Sequence, residues 1–209
     1  MTQRGASRQE FLARVRAALS HPSATPAPPA VEDALLRLAS PGEDLRARFE
    51  LEATAVGMEV QRVGDPASAV AALLAEAGVS NVSLGIEDED LRARVMRELD
   101  TGGVTLVDDP FEADAGVTDV HAALAETGTL VLHPGSRQSR RVSLAPLLHV
   151  VILPASRVLA DMLDYLPRCA PDERGARILV TGPSKTADIE GELVCGVHGP
   201  GRVRILLAG

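Results

Sequence analysis

A chain of 209 residues with 45% hydrophobic side chains has room for one domain with a short appendage and enough apolar surface for a core, which excludes wholesale disorder. Aromatics make up 2%, with no Trp and one Tyr, so the core must be Leu, Val, Ile and Ala, as in buried parallel strands, and stacking platforms for single-stranded nucleic acid are missing. A formal net charge of −8 and a pI near 5.1 oppose a phosphate backbone, so no nucleic-acid partner is expected and the charge reads as solubility.

The chain opens on Met1-Thr2-Gln3-Arg4 and carries no apolar run approaching the roughly 18 residues of a membrane span. Neither a signal peptide nor a membrane partner is expected, and the location expected is cytoplasmic. Ser7-Arg8-Gln9-Glu10 has capping-box spacing and predicts a helix from about Arg8 to Leu19, with Phe11, Leu12, Val15 and Leu19 on one face. Four prolines between His21 and Ala30 rule out helix and sheet there. Residues 1–30 therefore read as a helical arm on a Pro-rich linker, and 31–209 as the α/β domain.

Helical patterning resumes at Glu32, breaks at Pro41-Gly42 and continues through Leu45, Phe49, Ala53 and Val56. Met58–Val63 reads as a strand, and Asp65-Pro66 opens a helix that stops at Gly78. Val82–Gly85 is a strand, Glu87–Leu99 a helix running from acidic to basic, and Val104–Val107 a strand. A short helix is expected near Val120–Ala125, then strands at Thr129–His133 and Val150–Leu153. Ser156–Leu166 reads as a helix with Val158, Leu159, Met162, Leu163 and Leu166 on its apolar face, before strands at Arg177–Thr181 and Val203–Leu207. The alternation predicts an α/β fold with a doubly wound, mainly parallel sheet.

Ligands of open α/β sheets bind at strand ends, and three polar, glycine-bearing segments adjoin strands. Ala125-Glu126-Thr127-Gly128-Thr129 is either a turn that needs a glycine or a site with a carboxylate and two hydroxyls. Thr181-Gly182-Pro183-Ser184-Lys185-Thr186-Ala187-Asp188-Ile189-Glu190 departs from both the P-loop and the nucleophile-elbow patterns. It remains a donor-rich loop able to hold a carboxylate or phosphate. Lys185 is the only lysine of the chain, and a lysine can shed its proton or form a Schiff base where an arginine cannot. In Gly196-Val197-His198-Gly199-Pro200-Gly201 the histidine faces a ligand or merely turns the chain. Arg137-Gln138-Ser139-Arg140-Arg141 is either a solvated loop or a lid bringing guanidinium groups to an anion. Glu126, Asp188, Glu190 and His198 lack ligand spacing, so no metal is expected. Cys169 and Cys195 are isolated, without the Cys runs of a cluster site, and a disulfide between them stays open.

Taken in order, Ala125–Leu132, Arg141 with Pro146, His149 and Val151, Gly182–Glu190 and Gly196–Pro200 resemble the lactate-utilization protein C family, or LUD-domain family, over residues 116–207. The resemblance implies a fold similar to ribose-5-phosphate isomerase, glucosamine-6-phosphate deaminase and CoA transferases. It also implies a part in oxidising L-lactate to pyruvate beside iron–sulfur oxidoreductase subunits, with the clusters on those partners and no cofactor on this chain. Two functions are then open. One is a cluster-free subunit or accessory factor that binds a small carboxylate or a partner subunit. The other is a stand-alone CoA-transferase-like or isomerase-like enzyme, with Glu126 as base or nucleophile and Lys185 and Arg141 holding the anion. Under either, Glu126, Thr127, Gly128, Thr129, Gly182, Ser184, Lys185, Thr186, Asp188, Glu190 and His198 are expected around one anion pocket at the C-terminal edge of the sheet, with Arg141 closing over it.

Overall fold

A computed structural model describes residues 7–19, 37–40, 42–135, 139–169, 175–187 and 193–209. The chain divides into two units, 1–36 and 37–209. In the first, helix α1 (Arg8–Ala18) starts at the expected capping box: the Glu10 N–H donates to Ser7 Oγ and the Ser7 N–H donates back to the Glu10 carboxylate. The Pro-rich linker lies outside the described residues.

In the second unit, helix α2 (Leu45–Ala55) begins where the Asp44 carboxylate accepts from the Arg46 and Ala47 N–H groups. It buries Phe49 and Ala53 completely. Strand β1 (Glu59–Val63), helix α3 (Pro66–Glu76), strand β2 (Asn81–Gly85), helix α4 (Glu89–Thr101) and strand β3 (Thr105–Leu106) follow in the expected alternation. Next come β4 (Ala115–Asp119), β5 (Ala122–Leu124), β6 (Thr129–Leu132), β7 (Leu148–Pro154) and β8 (Val158–Leu159). Helix α5 (Met162–Tyr165), β9 (Ile178–Val180), β10 (Lys185–Ala187), β11 (Leu193–Cys195) and β12 (Arg202–Ala208) complete it.

Six strands form a wholly parallel central sheet in the order β1-β12-β7-β4-β2-β3. Alternate residues of β7 supply opposite faces, as the strand period of two requires. Leu148, Val150 and Ile152 pack with α3 and α4, while Val151 and Leu153 pack with α2 and with Val120, Ala123 and Leu130. The mainly parallel α/β fold is therefore as expected. One face, however, is covered by a helix together with a second, mixed sheet of order β8-β5-β6-β9 rather than by helices alone.

That second sheet holds most of the departures from the sequence reading. Ala122–Leu124 is a strand and not a helix, pairing with β6 on one side and β8 on the other. The helix expected over Ser156–Leu166 shrinks to α5: Val158-Leu159 is taken by the sheet, Asp161 caps at the Asp164 N–H, and Pro167 follows. Thr129–Leu132 and Ile178–Val180 are strands, but they pair antiparallel with each other outside the central sheet. The segment read as a donor-rich loop instead carries Lys185 on β10, which pairs antiparallel with β11. Strand β4, at the centre of the molecule, had no counterpart in the sequence reading.

Beside β4, His149 is wholly buried on β7, its Nε2 2.9 Å from the Thr118 hydroxyl. Burial alone pushes its pKa down to about 4, so it is neutral at physiological pH. Both cysteines are free thiols. No helix among the described residues is long and apolar enough to cross a membrane.

Candidate functional site

Two adjacent strands of the central sheet, β2 and β4, send the chain to opposite faces from their C-terminal ends. After β2 it enters α4 on one face, and after β4 it enters β5 on the other. Such a reversal leaves a crevice outside the strand ends, the usual ligand position in open α/β sheets. A cavity of about 250 Å³ lies there, lined by Glu87, Asp88, Asp119, Val120, His121, His133 and Arg157.

Each of these side chains has a structural reason for its place. Asp119 ends β4 and is 5% exposed; its carboxylate accepts from the Glu87 and Asp88 N–H groups, both at 3.3 Å, just before α4. Burial raises its pKa above the ordinary carboxyl value, against the two N–H groups and the nearby Arg157 guanidinium, which lower it. Arg157, in the short 3-10 turn after β7, donates to the Val120 carbonyl. His121 and His133 meet edge to face with ring centroids 5.5 Å apart. Behind them, His121 Nδ1 is 3.1 Å from the Tyr165 hydroxyl, which also accepts from Arg177 Nε at 3.0 Å. Burial lifts the Tyr165 phenol to about 12. The crevice thus offers a guanidinium and two imidazoles beside three carboxyl groups. That set suits a small molecule with an anionic end and a hydroxyl or oxo oxygen. Among the described residues no group of three or more His, Cys, Asp or Glu could hold a metal ion.

Among the described residues, none of those singled out from sequence lines this crevice. The first segment lines a second cavity of about 250 Å³, where Glu126, Thr127 and Thr129 stand with Leu124, Asp161, Met162, Leu179 and Thr181. A row of hydroxyls crosses it: Thr127 to Thr129 at 2.6 Å and Thr129 to Thr181 at 2.7 Å. Gly128 has φ +63°, and a Cβ on it would fall 2.3 Å from the Ala53 nitrogen of α2. Gly128 thus has the backbone angle that the turn reading asked for, and it lets the β5–β6 turn press on a helix backbone.

Gly182, at φ +95°, meets α2 in the same way, since a Cβ there would lie 2.7 Å from the Val56 carbonyl oxygen. Lys185 Nζ donates to that same oxygen at 3.1 Å. The second and third segments are bound together: the Ser184 N–H donates to the Pro200 carbonyl and the Gly196 N–H to the Ser184 carbonyl. Thr186 pairs with Val194 in the hairpin. His198 and Arg141 share a third cavity of about 430 Å³ with Phe111, Leu144, Leu147 and Val197. Leu147 and Gly199 just precede β7 and β12, so this cavity opens at the N-terminal edge of the central sheet, opposite the expected one. Asp188 and Glu190, and the Arg137-Gln138 part of the basic loop, lie outside the described residues. The three segments converge on one another, and among the described residues the first lines one cavity and the third another.

The LUD domain family model matches residues 46–208. A protein of Halalkalibacterium halodurans named Lactate utilization protein C is 40% identical over 106 residues, covering 48% of this chain and 46% of that protein. One of the same name from an Exiguobacterium species is 37% identical over 103 residues, covering 46% and 45%. In these matches the chain spans about half the length of its relatives. The crystal structure of a DUF162 family protein from Deinococcus radiodurans superposes with a TM-score of 0.57 at 20% identity, covering 79% of this chain and 97% of that one. That likeness supports the fold.

Proposed function

Because the chain belongs to the LUD domain family, we propose that it serves lactate utilization by binding a small 2-hydroxy or 2-oxo carboxylate in the crevice between β2 and β4. The observation that carries this reading is the placing of Arg157, His121 and His133 around a cavity at the point where the connections reverse. Arg157 and the histidines face the carboxylate or an oxo oxygen, while Asp119 and Glu87 face a hydroxyl. Oxidising lactate releases an electron pair, and the sequence carries no Cys run for a cluster. In this reading the acceptor is an iron–sulfur partner subunit, and this chain holds no redox group.

Calorimetric titration with L-lactate and with pyruvate tests the binding. Binding is expected for the intact chain, and Arg157→Gln and His133→Ala are each expected to weaken it roughly tenfold or more, the loss of a charged hydrogen bond. Absence of binding for both acids, or two variants with unaltered affinity, overturns the reading.

A second reading, an acid–base enzyme, is favoured by Asp119, whose raised pKa suits a proton donor. Under it, the protein would speed exchange of pyruvate methyl protons with deuterated solvent, and Asp119→Asn would abolish that exchange. No exchange above the buffer rate removes it.

A further inference from the structure

Tyr165 is 2% exposed, so its hydroxyl proton must find an acceptor inside the protein. The phenolic oxygen has Arg177 Nε at 3.0 Å and His121 Nδ1 at 3.1 Å. A guanidinium only donates, so Arg177 takes a lone pair of the phenol. Cys169 also reaches the phenol, but a thiol sulfur is a weak acceptor, so the single proton of the phenol goes to His121, whose Nδ1 is then the unprotonated nitrogen that accepts it. The two rings meet edge to face with centroids 5.7 Å apart, and His133 stands edge to face on His121 as well, so the imidazole is oriented by rings as well as by the hydrogen bond.

We propose that Arg177 and Tyr165 are positioning residues that hold neutral His121 as the tautomer with its proton on Nε2. The crevice then carries a fixed N–H donor. Such a donor recognises an oxygen that accepts, as the carboxylate or the oxo oxygen of a 2-oxo acid does. It cannot take the proton of a hydroxyl, so in this crevice that part falls to Asp119, Glu87 or His133. The tautomer follows from the apo geometry alone, whereas its ligand rests on the reading of the crevice given above.

Long-range proton–nitrogen NMR on the full chain labelled with ¹⁵N-histidine tests both parts, with the His121 signals assigned by their loss in His121→Gln. Above the imidazole titration, wild-type Nδ1 is expected at the position of a hydrogen-bonded acceptor and Nε2 at that of a protonated nitrogen, in one tautomer. Tyr165→Phe keeps the ring but removes the hydroxyl, and should release the lock, so that the Nδ1 and Nε2 shifts move toward each other as the two tautomers average. A wild-type spectrum with the proton on Nδ1 overturns the proposal without need of any variant. So do nitrogen shifts that are the same in wild type and in a folded Tyr165→Phe. Added pyruvate should displace the Nε2–H proton. A locked tautomer that ignores pyruvate overturns the ligand assignment while leaving the positioning roles of Tyr165 and Arg177 intact.

Discussion

The ammonium of Lys185 sits against the Val56 carbonyl, at the end of α2, where the last carbonyls of a helix lack partners within it. A cation there stabilises the helix through its dipole by about 0.3–1 kcal/mol at an exposed position. Lys185→Ala is accordingly expected to lower stability by that amount in urea titration and to leave lactate or pyruvate affinity unchanged; a tenfold weaker affinity would return Lys185 to a binding site. Gly128 is far less forgiving, because its missing Cβ is what admits the Ala53 backbone. Gly128→Ala should cost about 2–4 kcal/mol, from overpacking against main chain added to an unfavourable φ, seen as a fall in thermal midpoint. At this scale the sequence marked Gly128, Gly182 and Lys185 as special but did not say why. Their shared partner, α2, lies well upstream of both segments, and nothing local names it. His121, Arg157 and Asp119 went unmarked for a related reason: each is an ordinary residue in its own segment, and only the meeting of strand ends makes a site.

Among the elements, β4 and β7 carry a buried imidazole between them. The folded chain keeps His149 neutral down to about pH 4, whereas the unfolded chain protonates it near 6.5. Below that value the unfolded state binds more protons, so stability falls as pH drops from about 6.5 to 4, by up to about 1.4 kcal/mol per pH unit. Urea midpoints at pH 7 and pH 5 should show this drop, and His149→Gln should flatten it; an unchanged slope in that variant would assign the acid sensitivity to other groups. Helices α2, α3 and α4 were readable because each has a side-chain cap and regular apolar spacing. Strands β5 and β8 were not. Ala122–Leu124 has no alternation to read, being buried at every position, and Val158-Leu159 shares the spacing of a helical face with Met162. Strand β4 was masked by Gly116 and Asp119, residue types that strands disfavour.

For the whole molecule, the parallel sheet and its covering helices followed from the alternation of segments, and so did the rule that a ligand belongs at strand ends. Which strand ends could not be read, because that depends on the order β1-β12-β7-β4-β2-β3, set by long-range pairings with no local trace. The same order bears on how the molecule comes into being. Strand β12 lies between β1 and β7, with Glu59 facing Arg204 on one side and Leu148 facing Arg202 on the other. Until residues 202–208 are available, β1 has no neighbour in its sheet and the core beneath α2 lacks Val203, Ile205 and Leu207. A nascent chain short of that point can assemble only the β7-β4-β2-β3 portion of the sheet, and it leaves apolar surface beneath α2 uncovered. A chain cut before Arg202 should therefore bind ANS strongly, lack a cooperative thermal transition and be digested rapidly by trypsin, whereas the intact chain resists. A truncated chain that melted cooperatively would show that β12 merely joins a finished sheet. Closure by β12, made after every other strand of its sheet, would leave this domain protease-sensitive until residue 208 has been added.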